Sequence, residues 1–276
     1  MREIIKNKNG QAVAFPTVQI TAADFEIKPH MEIHWLSGGG AMINSRGTTI
    51  MIDPLLEGFD MPLLIEMPIL PQDVPSLDGV LITHIDNDHF SHPTCLDLKH
   101  VCRSYHAPHY VASIMQEIGI NGVGHDIHES FRVNDVKIQL TPALHNWQNG
   151  ASKYQYRVWE KEDYCGYFLE TQDGTIWMPG DSKLLEEQLH MPSPDVILFD
   201  FADNDWHITL EGAIRLANAY PKADLICIHW GSADAPNMTP FNGNPETLYQ
   251  RITNPKRIKV LAPGEAYILG GMKPII

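Results

Sequence analysis

Thr83-His84-Ile85-Asp86-Asn87-Asp88-His89 decides the fold. Within six positions it carries four side chains able to hold a metal ion: His84, Asp86, Asp88 and His89. Directly before it lies Gly79-Val80-Leu81-Ile82, a short apolar run of the kind that forms a strand buried on both faces. In an extended or turning segment alternate side chains share a face, so His84 and Asp86 can aim at one ion. The turn then aims Asp88 and His89 at another. Mixed nitrogen and oxygen donors suit zinc, manganese or iron. The bland alternative is a polar turn whose charges are solvated.

Outward from this stretch the same break recurs. An apolar strand ends and an Asp or His follows at Asp53, His84, His145, Asp181 and His229. Strand ends that converge on one edge of a sheet assemble a site from residues distant in sequence. The strands read from the pattern are Met31–Leu36, Ala41–Asn44, Thr48–Ile52, Tyr164–Glu170, Thr175–Met178, Asp195–Asp200 and Asp224–Ile228, with a hairpin inside Val133–Leu140. Asp173-Gly174 marks a tight hairpin turn. Helices are expected over Pro108–Ile118 and from Thr209, as N-cap, to Tyr220. Strands and helices are interspersed in both halves, which favours one layered α/β domain over residues 31–276 behind an N-terminal extension over 1–30. Gly38-Gly39-Gly40 lies between two strands and lacks the Lys-Ser/Thr and helix of a phosphate-binding loop.

The 276 residues carry a net charge of −14, which repels phosphate backbones and argues against nucleic acid as a partner. No stretch approaches the roughly 20 apolar residues needed to span a bilayer, and the first residues lack a signal-peptide pattern. Cys95, Cys102, Cys165 and Cys227 form no C-x-x-C pair and read as small buried hydrophobes. A cytoplasmic protein with a small-molecule substrate and no membrane partner is expected.

The stretch His84-x-Asp86-x-Asp88-His89 resembles a variant of the His-x-His-x-Asp-His motif of the metallo-β-lactamase superfamily. His145 after a strand, Gly180-Asp181 after a hairpin and His229 after a late strand follow the superfamily's order. Within it the chain looks closest to the ascorbate-6-phosphate lactonase-like group, on Ile50–Pro54, Leu81–His84, Met178–Ser182 and the segments Trp206–Leu210 and Ile228–Gly231. The resemblance implies an αββα four-layer sandwich with the site on one edge. It implies two divalent ions, zinc or manganese with iron as a further option. His84, Asp86 and His145 would hold the first; Asp88, His89 and His229 the second; Asp181 would bridge them. Asp53 would orient a ligand histidine. His207 would sit near the substrate as an oxyanion stabiliser or proton donor. The resemblance also hints at a homo-oligomer.

Asp86 stands where the superfamily usually has histidine. A shorter, charged oxygen donor is expected to weaken or shift the first ion and to favour manganese or iron relative to zinc. On this reading, Asp86→His should raise zinc occupancy. His92, nearby, reads as a loop residue; the alternative reading is a ligand that compensates for Asp86. The function expected is a hydrolase in which a metal-bound hydroxide attacks a small ester or lactone, including a phosphorylated sugar lactone. Asp88 or Asp181 would accept the proton and His207 would steady the developing oxyanion. A small-molecule or lipid phosphodiesterase is the enzymatic alternative, and a non-catalytic metal-binding scaffold the alternative of another class. Loops at 55–76, 146–163 and 232–245 are expected to shape the pocket, with Trp147, Tyr154, Trp159 and Phe241 as aromatic candidates and Lys153, Arg157 and Lys183 as basic ones.

Overall fold

The computed structural model describes residues 2–270. Two seven-stranded sheets face each other. The first contains β1 (Met31–Trp35), β2 (Ala41–Ser45), β3 (Thr48–Ile52), β4 (Gly79–Leu81), β5 (Tyr105–Pro108) and β6 (Gly122–His125), with β14 (Ala266–Leu269) beside β1. The second contains β7 (Ser130–Val133), β8 (Val136–Pro142), β9 (Cys165–Glu170), β10 (Thr175–Met178), β11 (Val196–Phe199), β12 (Asp224–Cys227) and β13 (Ile258–Lys259). Each sheet is antiparallel on one side and parallel on the other. β14 through β3 and β7 through β10 alternate, while β3 through β6 and β10 through β13 run parallel.

Helices cover the outer faces, which gives the αββα sandwich. Side chains alternate across the strands to serve both surfaces. Ile43, Ile50 and Ile52 enter the layer between the sheets, together with Leu140, Leu169, Trp177 and Phe199 of the second sheet. Met42, Met51 and Val80 point the other way, against α1 (His92–Leu98) and α2 (His109–Glu117). Each such side chain, fully buried, contributes about 1.5–3 kcal/mol. α3 (Leu210–Ala219) lays Ala213, Leu216 and Ala217 on the second sheet. Its N-cap is Thr209, whose hydroxyl accepts from the Gly212 N–H. Burial on both faces explains why the central strands read as continuous apolar runs.

The hairpin inside Val133–Leu140 is β7 turning at Asn134-Asp135 into β8, which extends to Pro142. The sequence reading passes over β5, β6, β13, β14 and α1. β5 is Tyr-His-Ala-Pro and β6 is Gly-Val-Gly-His, segments with no apolar run; β5 is a strand because β4 offers it a parallel edge, and β6 because β5 in turn offers one. His92 is not in a loop but opens α1, capped by Ser91, with its ring edge-on to Phe90 at 4.5 Å. Residues of the N-terminal segment pack onto the sandwich. Ile4, Ala12, Ala14 and Phe15 join the inter-sheet cluster, and the Ala14 N–H donates to the Gly231 carbonyl at 3.0 Å.

Candidate metal centre

Parallel pairing aligns the carboxyl ends of β3 and β4 and of β10, β11 and β12, and two antiparallel steps through β9 give β8 the direction of β10. Asp53 follows β3, His84 follows β4, His145 follows β8, Asp181 follows β10 and His229 follows β12. The structure brings these together with Asp86, Asp88, His89 and His207 in one buried cluster. Asp53 and His229 hold left-handed backbone, φ 46° and 61°, a conformation that costs non-glycine residues of the order of 1–3 kcal/mol and recurs at functional sites. The Ser37–Gly40 turn explains the triple glycine. A Cβ on Gly39 would lie 2.6 Å from the His89 ring, and one on Gly40 would lie 2.7 Å from the Asp53 carbonyl oxygen. The glycines let backbone pass close behind the cluster rather than cradle a phosphate.

Each of five imidazoles is held at Nδ1 and presents Nε2. His89 Nδ1 meets Asp53 Oδ2 at 2.7 Å, His207 Nδ1 meets Asp200 Oδ2 at 2.7 Å, and His145 and His229 donate to the carbonyls of Trp206 and Pro240, both at 2.8 Å. The Thr83 hydroxyl donates its proton to Asp53 at 2.6 Å, so at 2.9 Å it must accept from His84 Nδ1–H. These anchors fix the tautomer and ring orientation, the arrangement that accompanies metal-ligating histidine. The Nε2 atoms converge on carboxylates. Asp181 Oδ2 lies 3.1 Å from His89, 3.4 Å from His229, 3.5 Å from His207 and 3.9 Å from His145. Asp86 Oδ2 lies 3.4 Å from His84 and 3.3 Å from His145; Asp88 Oδ2 lies 3.6 Å from His89 and 3.3 Å from His229.

Nε2 of His84, of His89 and of His229 are buried without a hydrogen-bond partner. Leaving a buried polar atom unpaired costs about 1–3 kcal/mol, so three in one cluster fit the binding of a cation. The donor set agrees, because three ligand atoms of His84, Asp86 and His145 lie within 4.8 Å of one another, as do those of Asp88, His89 and His229. The residues present fit divalent metal. Charge completes the case. Burial opposes a proton on His229, yet Asp181, Asp88 and Asp200 outweigh it and raise its pKa to about 10. His89 is likewise raised well above the ordinary range by Asp181, Asp88 and Asp53 against the cost of burial. Burial also opposes the charge on Asp86 and Asp181, but the surrounding imidazoles hold both well below the usual carboxylate range. The carboxylates therefore demand positive charge, which an ion can supply in place of protons.

Above the cluster opens a cavity of about 320 Å³. Phe59 and Met61 come from the first expected loop, Trp147, Lys153 and Tyr154 from the second, and Met238 and Phe241 from the third; Trp206 closes the wall before α3. Trp159 lies instead beneath the loop with Ala143 and Tyr164. Arg157 pairs with Asp163, and the Lys183 ammonium sits over the Trp206 ring at 4.6 Å. Two groups escape the sequence reading. Asp200 follows the apolar β11 as Asp181 follows β10, so the strand-end signal does point to it. Gln148 and Tyr164 carry no signal: Gln148 reaches Asp86 only because the loop after His145 folds back over it, and the Tyr164 hydroxyl donates to Gln148.

Fold and site together define a metal-dependent hydrolase of the β-lactamase type. Residues 48–230 match the family described as beta-lactamase superfamily domain, and the chain belongs to it. It is similar, at 24% identity over 79% of its length and 90% of the relative's, to a UPF0173 metal-dependent hydrolase of Pyrococcus furiosus. It is also similar to N-acyl-phosphatidylethanolamine-hydrolyzing phospholipase D 1 of Caenorhabditis elegans, at 21% identity over 79% of this chain and 68% of that one. Among solved structures, Igni18, a metallo hydrolase of Ignicoccus hospitalis, superposes with a TM-score of 0.67 at 18% identity, covering 87% of this chain and 98% of that one.

Proposed function

We propose that the protein holds two divalent ions and hydrolyses a small carboxylic ester or lactone whose non-reacting part is apolar. The observation that carries this reading is the trio of unpartnered Nε2 atoms in a cluster that meets, through His229, a cavity walled by aromatic side chains. His84, Asp86 and His145 would hold one ion, Asp88, His89 and His229 the other, with Asp181 between. Divalent ions held there would lower the pKa of a water and polarise the oxygen under attack. Asp181 or Asp88 takes the proton of the attacking water. His207, when protonated and charge-balanced by Asp200, donates from Nε2 to the oxygen on which charge develops. Phe59, Trp147, Tyr154, Trp206 and Phe241 exclude water from the reacting bond and bind the apolar body. A phosphorylated sugar lactone, the substrate that the lactonase-like resemblance suggests, would need polar walls, so an apolar ester stands ahead of it.

A second reading, a phosphodiesterase acting on an amphiphile, draws on the lipid-cleaving relative and on Lys153, a cation on the cavity wall. Turnover by the zinc- or manganese-loaded protein on a panel of aryl and acyl esters, lactones and aryl phosphodiesters decides between them. Activity that a chelator removes and added metal restores is expected, with aromatic esters turned over best. Full metal loading without turnover on any member of the panel would overturn the enzyme reading and favour a scaffold.

A further inference from the structure

Asp86 is held in a way that Asp88 is not. Its Oδ1 accepts from Gln148 Nε2 at 2.8 Å and its Oδ2 from Trp147 Nε1 at 2.6 Å. Gln148 is fully buried, and its Oε1 accepts from the Tyr164 hydroxyl at 2.7 Å. Burial raises the Tyr164 pKa far above neutrality, so that hydroxyl remains a donor. A donor aimed at Oε1 turns the other end of the amide, Nε2, toward Asp86. The loop that carries this network is itself locked: Asn149 Nδ2 donates to the Trp159 carbonyl at 2.8 Å and the Trp159 N–H donates back to Asn149 Oδ1 at 2.9 Å.

Two fixed N–H donors therefore converge on position 86. A carboxylate satisfies both and keeps lone pairs on Oδ2, which faces the His84 and His145 Nε2 atoms at 3.4 and 3.3 Å. An imidazole at 86 that turned its lone pair to an ion would turn an N–H toward those donors. Three donors would then face one another in a buried space without an acceptor. The departure from histidine at position 86 is thus one member of a four-residue set rather than an isolated change.

We propose that Trp147, Gln148 and Tyr164 are positioning residues that commit position 86 to a carboxylate and limit it to one oxygen for the first ion, making that ion the weaker-held of the two. The proposal rests on the two-ion reading above. It reverses the sequence-based expectation for Asp86→His. Restoring the more usual ligand loses the first ion, because the surroundings are built for an acceptor.

The test is metal titration of the full chain with Zn²⁺ or Mn²⁺ against a competing chelator, followed by metal analysis after desalting. Co²⁺ absorption reports the geometry of the first ion independently of activity. The wild type is expected to take up two ions of unequal affinity. Gln148→Leu should weaken the first about 10–100-fold, the usual effect of removing a group that holds a ligand, and shift its Co²⁺ bands while sparing the second. Tyr164→Phe, which removes only a hydroxyl, should act in the same direction and less. Asp86→His should lose the first ion, and the double variant Asp86→His/Gln148→Glu, which supplies an acceptor for the imidazole N–H, should regain it. A two-ion wild type whose Asp86→His variant holds the first ion as tightly as before, or whose Gln148→Leu and Tyr164→Phe variants titrate unchanged, overturns the proposal alone. A wild type that binds one ion, retained in His84→Ala, overturns the two-ion reading and the proposal with it.

Discussion

The two halves of the candidate metal centre use similar residues and support them differently. In the Asp88–His89–His229 half the strongest support falls on the imidazoles. Asp53, fully buried, grips His89 Nδ1, and the Asp88 carboxylate faces the two Nε2 atoms. In the His84–Asp86–His145 half the strongest support falls on the carboxylate. Trp147 and Gln148 donate to Asp86, while His84 leans only on the Thr83 hydroxyl. A carboxylate that accepts from a histidine raises that ligand's basicity; N–H groups that donate to a carboxylate fix its orientation and take up one of its oxygens. The difference teaches that ligand identity alone does not rank two adjacent sites, because the neighbours of each ligand set how much charge it has left to give.

The comparison breaks most completely at the residue both halves share. Asp181→Asn should remove the centre's common negative charge, release metal from both halves and abolish turnover on every substrate, read by metal analysis beside the ester panel. Retention of both ions would mean that the halves are independent. A smaller effect should come from Asp53→Asn. The His89 Nδ1–H and the Thr83 hydroxyl lose their charged acceptor, so affinity in the second half should fall about 10–100-fold with the first half less affected. Equal losses in both halves would show that Asp53 acts on His84 through Thr83 as strongly as it acts on His89.

The smallest effect is on pH dependence. In the metal-free protein the folded His229 pKa is raised to about 10 from an ordinary 6.5. The stability it contributes is fully present below about pH 6.5 and is lost as pH rises through about 10. Metal-free protein should therefore melt at progressively lower temperature between those values, and metal-loaded protein should not, because the ion has replaced the proton. Metal affinity should climb over the same range. A metal-free melting temperature that stays flat from pH 6.5 to 10 would remove the case for protons standing in for metal in the second half.

Much of the architecture was legible because burial on both faces writes long apolar runs. β3, β10, β11 and β12 all announced themselves that way, and each ends at a residue of the cluster or its support. β5 and β6 did not, because their pairing is dictated by the open edges of β4 and then β5 rather than by their own composition. α1 carried a signal in Ser91-His92-Pro93-Thr94, a helix start with proline in the first turn, and it placed His92 on a helix away from the centre.

By itself the sequence determined the identity of the candidate ligands and their order along the chain. The chemistry of His84, Asp86, Asp88, His89, His145, Asp181 and His229 is local, and so is the strand end that precedes most of them. Only the tertiary structure decided what those ligands lean on. Asp53 meets His89 from 36 residues away, Asp200 meets His207 across the loop before α3, and Gln148 meets Asp86 from 62 residues away. Hydrogen bonds between segments brought together by sheet pairing leave no periodicity and no spacing in the chain. The oxygen donor at position 86 was readable from the first; that it is gripped by a buried amide and an indole was not.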